Sequence, residues 1–473
     1  MIKTELVNPN VTNLIESLRD IGYSFEVAVA DLIDNSITAK AKSIKIYTVS
    51  NPEPIFCMLD NGIGMSEVEL VEAMRLASKN PNDLRAKGEL GRFGLGLKTA
   101  SFSQCKRLTV LSKKGGIVSA RQWDLDYITQ HNNWLLISPN NFLDLPLADE
   151  LNNLESGTIV CWENIDRIQK NKFSDIVDRL RRHISLVFHR FLEGEVGIRQ
   201  IKITVNNNPV IAFDPFNSKH PATQEIAPEK IMVYGSAITV QPYILPHHSK
   251  ISQQEYELYA TEEGYIKSQG FYVYRENRIL IYGTWWGLHK SLDAHKLVRI
   301  KIDIPNTIDQ YWGIDIKKSL ARPSEDLKID LKRIINQVTE KGARPFTGRA
   351  KKIEDKTFIQ FWQLLPLNND FRFALNLEHP LFKNLEKGLS KDSIENLRFY
   401  LKGIEAYLPL EAIQSKLQKN PHSINQESAL SEQNIIELTE KLKLAGLPKQ
   451  YIEDLLRTEI YSNRKELLKN EDK

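Results

Sequence analysis

The sequence lacks the features that mark membrane proteins, secreted proteins and repeat proteins. No run of about 18 apolar residues occurs, so no membrane span is expected. The first residues, Met1–Glu5, do not carry the basic and then apolar pattern of a secretion signal. Internal repeats and low-complexity tracts are also missing. These absences predict a cytoplasmic globular protein that does not enter a membrane.

Cysteine is scarce. Cys57, Cys105 and Cys161 are the three cysteines, and their positions do not have the spacing of zinc ligands. Such usage fits a reducing compartment, where disulfides seldom form. We therefore expect neither a structural disulfide nor a zinc site.

The excess of charge of one sign is small as well. The formal net charge is +3 and the sequence pI is about 8.4, which by itself does not indicate a nucleic-acid partner. Two basic clusters could contact phosphate groups, although a solvated surface and an interdomain linker would explain them too. They consist of Arg179, Arg181 and Arg182, and of Arg344, Arg349, Lys351 and Lys352.

What is present suits several packed domains, since 41% of the 473 residues are hydrophobic and 26% are charged. Periodicity predicts a helix from Ser24 to Ala39, and helices again at Ser393–Tyr407 and Ser431–Lys443. Strands are predicted at Ile44–Val49, Ile55–Leu59, Arg107–Leu111, Thr158–Trp162, Ile201–Val205, Gly270–Tyr274 and Leu297–Ile304. This order predicts an α+β protein in three parts, comprising residues 1–166, 167–345 and 346–473.

Three motifs carry chemistry, and the first is a carboxylate and an amide on the predicted Ser24–Ala39 helix. Asp31 and Asn35 are one turn apart and therefore share a face. A carboxylate can orient and deprotonate a water molecule. An amide oxygen is a hard ligand of the kind that Mg²⁺ prefers. The pair suits ATP hydrolysis with a magnesium ion that bridges the phosphates.

The second motif, Asp60-Asn61-Gly62-Ile63-Gly64-Met65, follows an apolar strand. A carboxylate at a buried strand end accepts hydrogen bonds only, so it can face the amino group of an adenine ring. The glycines allow a tight turn and a close approach of the backbone to a flat ring.

The third motif is the glycine-rich run Gly91-Arg92-Phe93-Gly94-Leu95-Gly96-Leu97-Lys98-Thr99. Glycines before a helix start expose backbone N–H groups to anions, and Lys98 adds a positive charge. A Walker A loop would need a lysine directly after its last glycine, but Leu97 intervenes. A dinucleotide fingerprint would need a glycine at position 99.

In this order, the three motifs resemble those of the GHKL superfamily, which includes gyrase, the ninety-kilodalton heat-shock chaperone, histidine kinases and MutL. Within it, Ala30–Ser36 and the spacing of Gly91, Gly94, Gly96 and Lys98 are most similar to the MORC ATPases, particularly their prokaryotic relatives. The resemblance implies a Bergerat-fold ATPase domain with helices on one face of a mixed sheet. An α/β transducer domain resembling a ribosomal-protein-like fold and a mostly helical C-terminal region would follow. The segment between Met65 and Gly91 would be a mobile lid over ATP.

The resemblance also implies roles for individual residues. Asp31 takes the place of the general base and Asn35 that of the Mg²⁺ ligand, with Asp34 and Glu26 as alternative bases. Because the usual base is glutamate and Asp31 is one methylene shorter, slow turnover is expected. The implied ATP contacts are Asp60, Gly62, Gly64 and Met65 on the adenine side, Gly91, Gly94, Gly96, Lys98 and Thr99 on the phosphate side, and Thr158 beside Asp60.

Further along the chain, Phe271–Arg278 resembles a strand and turn of the MutL and MORC transducer domain. That domain supplies a lysine to the terminal phosphate, and here Lys317 and Lys318 are equally good candidates. The family further implies a homodimer that closes on DNA when ATP binds. Its prokaryotic members tend to occur in restriction or antiphage systems, which suggests a nuclease or another defence subunit as partner. The alternative is a chaperone-like ATPase that remodels a protein without binding DNA.

Overall fold

A computed structural model describes residues 3–5, 10–76, 78, 89–91, 96–168, 172–315, 318, 320–353, 358–367, 370–424 and 426–468. The chain forms two compact units. The first comprises Met1–Leu245, Tyr259–Ser291 and Lys296–Val338, and the second comprises Pro246–Leu258, Leu292–His295 and Thr339–Lys473. Within the described ranges, no helix combines the length and the apolar character needed to cross a membrane.

Helices and strands alternate through the first unit, and helices dominate the second. The helices are α1 (Val11–Arg19), α2 (Phe25–Thr38), α3 (Glu67–Met74), α4 (Gly96–Phe102), α5 (Leu125–His131), α6 (Ala148–Asn152), α7 (Phe173–Val187), α8 (His189–Glu193), α9 (Gln253–Ala260), α10 (Tyr265–Ser268), α11 (Glu325–Ile353), α12 (Pro380–Lys387), α13 (Lys391–Ala406), α14 (Leu410–Lys419), α15 (Glu432–Leu444) and α16 (Lys449–Leu456). The strands are β1 (Ser43–Val49), β2 (Ile55–Asp60), β3 (Arg107–Lys114), β4 (Ile117–Asp124), β5 (Gly157–Glu163), β6 (Lys202–Val205), β7 (Asn208–Pro209), β8 (Gln224–Glu225), β9 (Glu229–Val233), β10 (Ser236–Ile244), β11 (Gly270–Arg275), β12 (Arg278–Thr284), β13 (Val298–Ile304), β14 (Trp362–Leu367) and β15 (Asp370–Leu375).

The first sheet has seven strands in the order β4-β3-β5-β2-β1-β6-β7. Its neighbours are antiparallel except β1 and β6, which are parallel, so the sheet is mixed as predicted. Four apolar residues of β2, from Phe56 to Leu59, are buried in the middle of this sheet, which explains their continuous apolar run. The register places Thr158 of β5 directly opposite Asp60, the last residue of β2.

Helix α2 packs on this sheet and brings the first motif into the interior. The Ser24 side chain accepts a hydrogen bond from the Val27 N–H and thereby caps the helix. The helix itself begins at Phe25, one residue after the predicted start. Phe25, Val29 and Ile33 are buried in the main core. Because α2 is covered on more than its apolar side, Asp31 and Asp34 are buried as well.

The expectation for the cysteines is wrong in one respect. Cys57 of β2 and Cys161 of β5 are cross-strand partners with Cα atoms 4.2 Å apart, and they form a disulfide. Their sequence separation of 104 gives no local signal, and only the strand register brings them together. Cys105 is buried.

A second sheet orders its strands β12-β11-β13-β10-β8, and β9 pairs with β10. In strand β13, Val298, Ile300, Ile302 and Ile304 are buried as predicted, but Arg299 between the first two is buried as well, so the alternation is incomplete. This sheet lies in the part of the chain that is predicted to be a transducer, whose ribosomal-protein-like fold stays a prediction.

The predicted domain boundaries also stay a prediction, although the first sheet extends past residue 166. Strand β6 pairs with β1 in that sheet, and α7 contributes Phe173, Leu180 and Ile184 to the first core. The C-terminal region is mostly helical as predicted, and it also contains the hairpin of β14 and β15, which periodicity did not indicate.

Candidate active site

A cavity of about 300 Å³ opens between α2, the end of β2 and the start of α4. This volume lies at the lower end of the range typical of small-molecule sites. All three sequence motifs contribute to its wall. The lining residues are Asp31, Leu32, Asn35, Ser36, Ala39, Met58, Asp60, Ile63, Gly64, Met65, Ala73, Ser78, Gly91, Gly96, Leu97, Lys98, Val110, Thr158, Val160 and Lys318.

Asp60 is held at one end of the cavity by hydrogen bonds to both carboxylate oxygens. The Ser36 hydroxyl donates to Oδ2 at 2.7 Å, and the Gly62 N–H donates to Oδ1 at 2.8 Å. Burial raises the pKa of Asp60, and the hydrogen bonds from Ser36, Gly62 and the Thr158 backbone oppose that rise. The carboxylate is thus fixed beside Met58 and Val160, where a flat apolar ring with an amino group could bind.

The turn after Asp60 needs its glycines. Gly64 has a φ of +64°, and a Cβ there would lie 2.0 Å from the Lys113 carbonyl oxygen. The neighbouring Met65 N–H donates to the Ser112 hydroxyl at 2.8 Å, and that hydroxyl also contacts the Thr158 hydroxyl at 2.8 Å. The family resemblance assigns the Thr158 hydroxyl to Asp60 and adenine, but in this structure that hydroxyl contacts the Ser112 hydroxyl.

A buried ion-pair network surrounds Asp31 at the other end of the cavity. The Lys318 Nζ donates to Asp31 Oδ1 at 3.0 Å and to Asp34 Oδ2 at 2.6 Å. Arg278 Nε lies 3.0 Å from the remaining oxygen of Asp34, at an angle too poor for a hydrogen bond. All four side chains are at most 8% exposed. Burial raises the pKa of Asp31, and the positive charge of Lys318 opposes the rise.

One of the two candidate lysines belongs to this network. Lys318 reaches the cavity and both carboxylates, whereas Lys317 lies outside the described residues. It also separates the candidate bases. Asp31 lines the cavity, Asp34 pairs with Lys318 and Arg278 behind it, and Glu26 forms a 3.0 Å ion pair with Arg179.

Tyr23 was not found by the sequence reasoning. Its hydroxyl donates to Asp31 Oδ2 at 3.0 Å, so both oxygens of Asp31 have partners. Thr99 was expected on the phosphate side, but its side chain is fully buried and hydrogen-bonds Tyr23. The reason is that Thr99 lies on the inner face of α4, so it supports Asp31 through Tyr23 rather than facing the cavity.

Asn35 meets the requirements for a magnesium ligand. It lines the cavity one turn after Asp31, and its side-chain amide has no hydrogen bond to any other described residue. Mg²⁺ usually takes one or two protein oxygens and keeps water and phosphate oxygens as its other ligands. A single free amide oxygen therefore fits this ion.

The third motif contributes Gly91, Gly96 and Lys98 to the cavity wall, while Gly94 lies outside the described residues. Lys98 is 3% exposed and donates to the Ala73 carbonyl oxygen at 2.9 Å. Burial lowers the pKa of Lys98 to about 8. A bound phosphate would reverse that shift, because it supplies the negative charge that burial denies the ammonium group. Of the expected lid, α3 is a packed helix, and residues 77 and 79–88 are not described.

Arg275 of β11 joins the second sheet to the start of the glycine-rich run. Its guanidinium forms two 2.7 Å hydrogen bonds with Asp309 and donates to the Leu90 carbonyl oxygen at 3.0 Å. The side chain is 2% exposed. Because Gly91 follows Leu90 and lines the cavity, a shift of the second sheet would be transmitted to the cavity wall.

Comparison with known proteins agrees with this geometry. Residues 23–158 match the family described as histidine kinase-, DNA gyrase B-, and HSP90-like ATPase. These residues are a GHKL-type ATPase domain. The GHKL match begins at Tyr23 and ends at Thr158, so it includes every described residue of the three motifs.

A relative of this chain is also found among curated proteins. It is the ATPase morc-1 of Caenorhabditis elegans, with 31% identity over 94 residues. The aligned part covers 20% of this chain and 11% of that protein. The likeness is therefore to part of a MORC ATPase, and the match spans only about a tenth of the relative.

Proposed function

We propose that the protein is a Mg-ATP-dependent ATPase whose nucleotide-driven homodimerisation acts as a switch or clamp on DNA. The observation that supports it most is the position of Lys318. This residue lies in the segment between β13 and α11, and its side chain contacts Asp31 and Asp34. Such a lysine could contact the terminal phosphate of ATP, and the segment that carries it would then move with the lysine.

In the proposed mechanism, Asp31 is the general base for the attacking water. Burial raises its pKa, which brings it closer to that of an effective base at neutral pH. In this structure, Lys318 contacts Oδ1 of Asp31 and Tyr23 contacts Oδ2. A terminal phosphate would attract Lys318, and this attraction would free Oδ1 for the water molecule. Mg²⁺ on Asn35 would offset phosphate charge.

The proposal that DNA is the partner rests on the family resemblance and receives little support from the arginines of α7. Arg179 pairs with Glu26, Arg182 pairs with Glu262, and Arg181 donates to the backbone carbonyls of Val205 and Pro209. These internal contacts reduce the support that the arginines give to DNA binding, and the chaperone-like ATPase that acts on a protein stays the alternative. The side chains of Arg344, Arg349, Lys351 and Lys352 are not described. A role in restriction or antiphage defence, beside a nuclease or another subunit, is proposed from the resemblance alone.

The experiment that separates these functions measures particle mass in solution with and without a non-hydrolysable ATP analogue, and then DNA binding in both states. We expect a doubling of mass with the analogue. DNA binding that increases with the analogue and weakens steeply with salt would support the clamp. A protein that dimerises and has no affinity for DNA at low salt would instead support the chaperone-like function.

Changing Lys318 to alanine should uncouple nucleotide binding from dimerisation. Hydrogen bonds to charged groups contribute about 1.5–3 kcal/mol. We therefore expect analogue-dependent dimerisation to weaken about 10- to 100-fold, while the analogue still binds. Sedimentation and titration calorimetry on the same samples measure the two quantities. Lys317→Ala is the matched control, and equal effects of the two changes would remove the sensor role from Lys318.

The pKa of Lys98 predicts a pH dependence for ATP binding. The protonated amine binds phosphate, so affinity should be nearly constant below pH 8 and should fall above it, by about tenfold between pH 7 and pH 9. Lys98→Met should bind more weakly at neutral pH and should show no such fall. A wild-type affinity that is flat over this range would show that Lys98 does not contact the phosphates.

A further inference from the structure

A second cluster of ligand-type side chains lies on α8 and on the turn after it. One ring nitrogen of His189 and one carboxylate oxygen each of Glu193 and Glu195 lie within 4.8 Å of one another. None of the three lines the ATP cavity. His189 is buried, Glu193 is half-buried and Glu195 is exposed, so the cluster reaches from the interior to the surface.

One ring nitrogen of the histidine is held by a neighbour, and the other has no partner among the described residues. His189 Nε2 lies 2.7 Å from the Tyr274 hydroxyl of β11, which fixes the ring. The other ring nitrogen, Nδ1, is buried and has no hydrogen-bond partner among the described residues. His189 is only 3% exposed, so bulk water has little access to that nitrogen. An unpaired polar atom in such a place costs about 1–3 kcal/mol. Metal-binding histidines commonly use one nitrogen for the ion and the other for a supporting hydrogen bond.

The local sequence places the two glutamates beside this ring. Glu193 is four residues after His189 on α8 and therefore lies on the same side of the helix. Gly194 then reverses the chain with a φ of +71°, and a Cβ there would lie 2.8 Å from the Cβ of Gln200. This turn returns Glu195 toward the helix, where its backbone N–H donates to the Arg190 carbonyl oxygen at 3.3 Å.

Two cations border the cluster, and neither blocks it. Lys219 pairs with Glu193 at 3.1 Å, but its side chain is 82% exposed and such pairs are weak. Arg190 Nε is 3.7 Å from Glu195, while the Nη atoms of Arg190 are bound to Asp303. Both glutamates can therefore turn toward His189 without leaving a buried cation unpaired.

We propose that His189, Glu193 and Glu195 form a binding site for a divalent transition-metal ion such as zinc. One imidazole nitrogen and two carboxylate oxygens are a donor set that zinc accepts, with water as a fourth ligand. Ligand atoms around tetrahedral zinc lie about 3.4 Å apart, so small rotations of the glutamates complete the site. The ion would hold α8 in place beside β11, because His189 also contacts the Tyr274 hydroxyl of that strand.

The test is calorimetric titration of the chelator-treated full chain with zinc chloride. The expected result is one saturable site per chain, which excess Mg²⁺ does not occupy because magnesium prefers oxygen ligands. Glu193→Gln and Glu195→Gln change partly exposed side chains, so they should fold normally. Each should weaken zinc binding at least about tenfold. Glu155→Gln, at an exposed carboxylate elsewhere in the domain, is the matched control.

Zinc should also raise the melting temperature of the wild type and of the control, but not that of the two variants. Binding of the ATP analogue should be the same in all four proteins, so this test is independent of the proposed ATPase. Absence of a saturable site, or zinc affinities of Glu193→Gln and Glu195→Gln equal to that of the wild type, would overturn the proposal.

Discussion

Asp31→Asn should lower kcat at least about 100-fold and leave ATP binding nearly unchanged, because the amide cannot take a proton from water. Dimers that form with ATP should then persist, since hydrolysis would be the step that reopens them. The fold should survive, because Lys318 keeps its 2.6 Å contact with Asp34. Steady-state turnover and calorimetric affinity, measured on one preparation, give both numbers.

Asp34→Asn is the matched control, since it removes an equivalent carboxylate from the same network. Asp34 contacts Lys318 and Arg278 but does not line the ATP cavity. Its loss should change stability and the position of Lys318 more than it changes the proton transfer. If Asp34→Asn abolished turnover and Asp31→Asn retained it, the assignment of the base to Asp31 would be wrong.

Asp60→Asn should weaken ATP binding at least about 30-fold. The wild-type carboxylate presents only acceptors, whereas the asparagine amide would place donors where Ser36, Gly62 and the adenine amino group also donate. An unpaired buried donor costs about 1–3 kcal/mol, and more than one would be affected. Thermal melting should show a folded domain, and direct titration should show the lost affinity.

Base selectivity makes the Asp60 test sharper. Guanine carries a carbonyl where adenine carries its amino group, so the wild type should reject GTP. The amide of Asp60→Asn could donate to that carbonyl, and the ratio of ATP to GTP affinity should therefore fall. An unchanged ratio, with unchanged ATP affinity, would exclude Asp60 from base recognition.

Local sequence predicted the elements that carry the site more accurately than the contacts within it. Helix α2 and strand β2 were predicted to within about one residue, because capping and apolar runs are local signals. The grouping of Asp31, Asn35 and Asp60 in one cavity was predicted from the order of the motifs, and the structure places all three in its wall. Their roles in binding and catalysis stay predictions.

The contacts that could not be predicted join distant parts of the chain. Lys318 meets Asp31 across 287 residues, and Arg275 meets the Leu90 backbone across 185. Neither side chain lies in a pattern that specifies its partner, since both contacts depend on how the second sheet packs. Tyr23 was missed for a different reason. It precedes the helix that it supports, and a lone tyrosine there looks like ordinary core.

These long-range contacts give the proposed coupling a physical form. Lys318 and Arg275 belong to the same region of the chain, and they contact the cavity wall at Asp31 and at Leu90 respectively. A nucleotide that draws Lys318 away from Asp31 would therefore pull on the segment that follows β13. Strand β13 pairs with β11, and Arg275 of β11 contacts the start of the glycine-rich run. Coupling of this kind requires differential contacts in two states, and Lys318 has a candidate partner in each.

The central claim is that Asp31, Asn35, Asp60 and the glycine-rich run bind one Mg-nucleotide. Titration of the purified chain with a non-hydrolysable ATP analogue, with and without Mg²⁺, tests it most directly. The account predicts one saturable site per chain, tighter with Mg²⁺ than without it, and a loss of that Mg²⁺ effect in Asn35→Ala. A folded protein that binds no adenine nucleotide under either condition would contradict it.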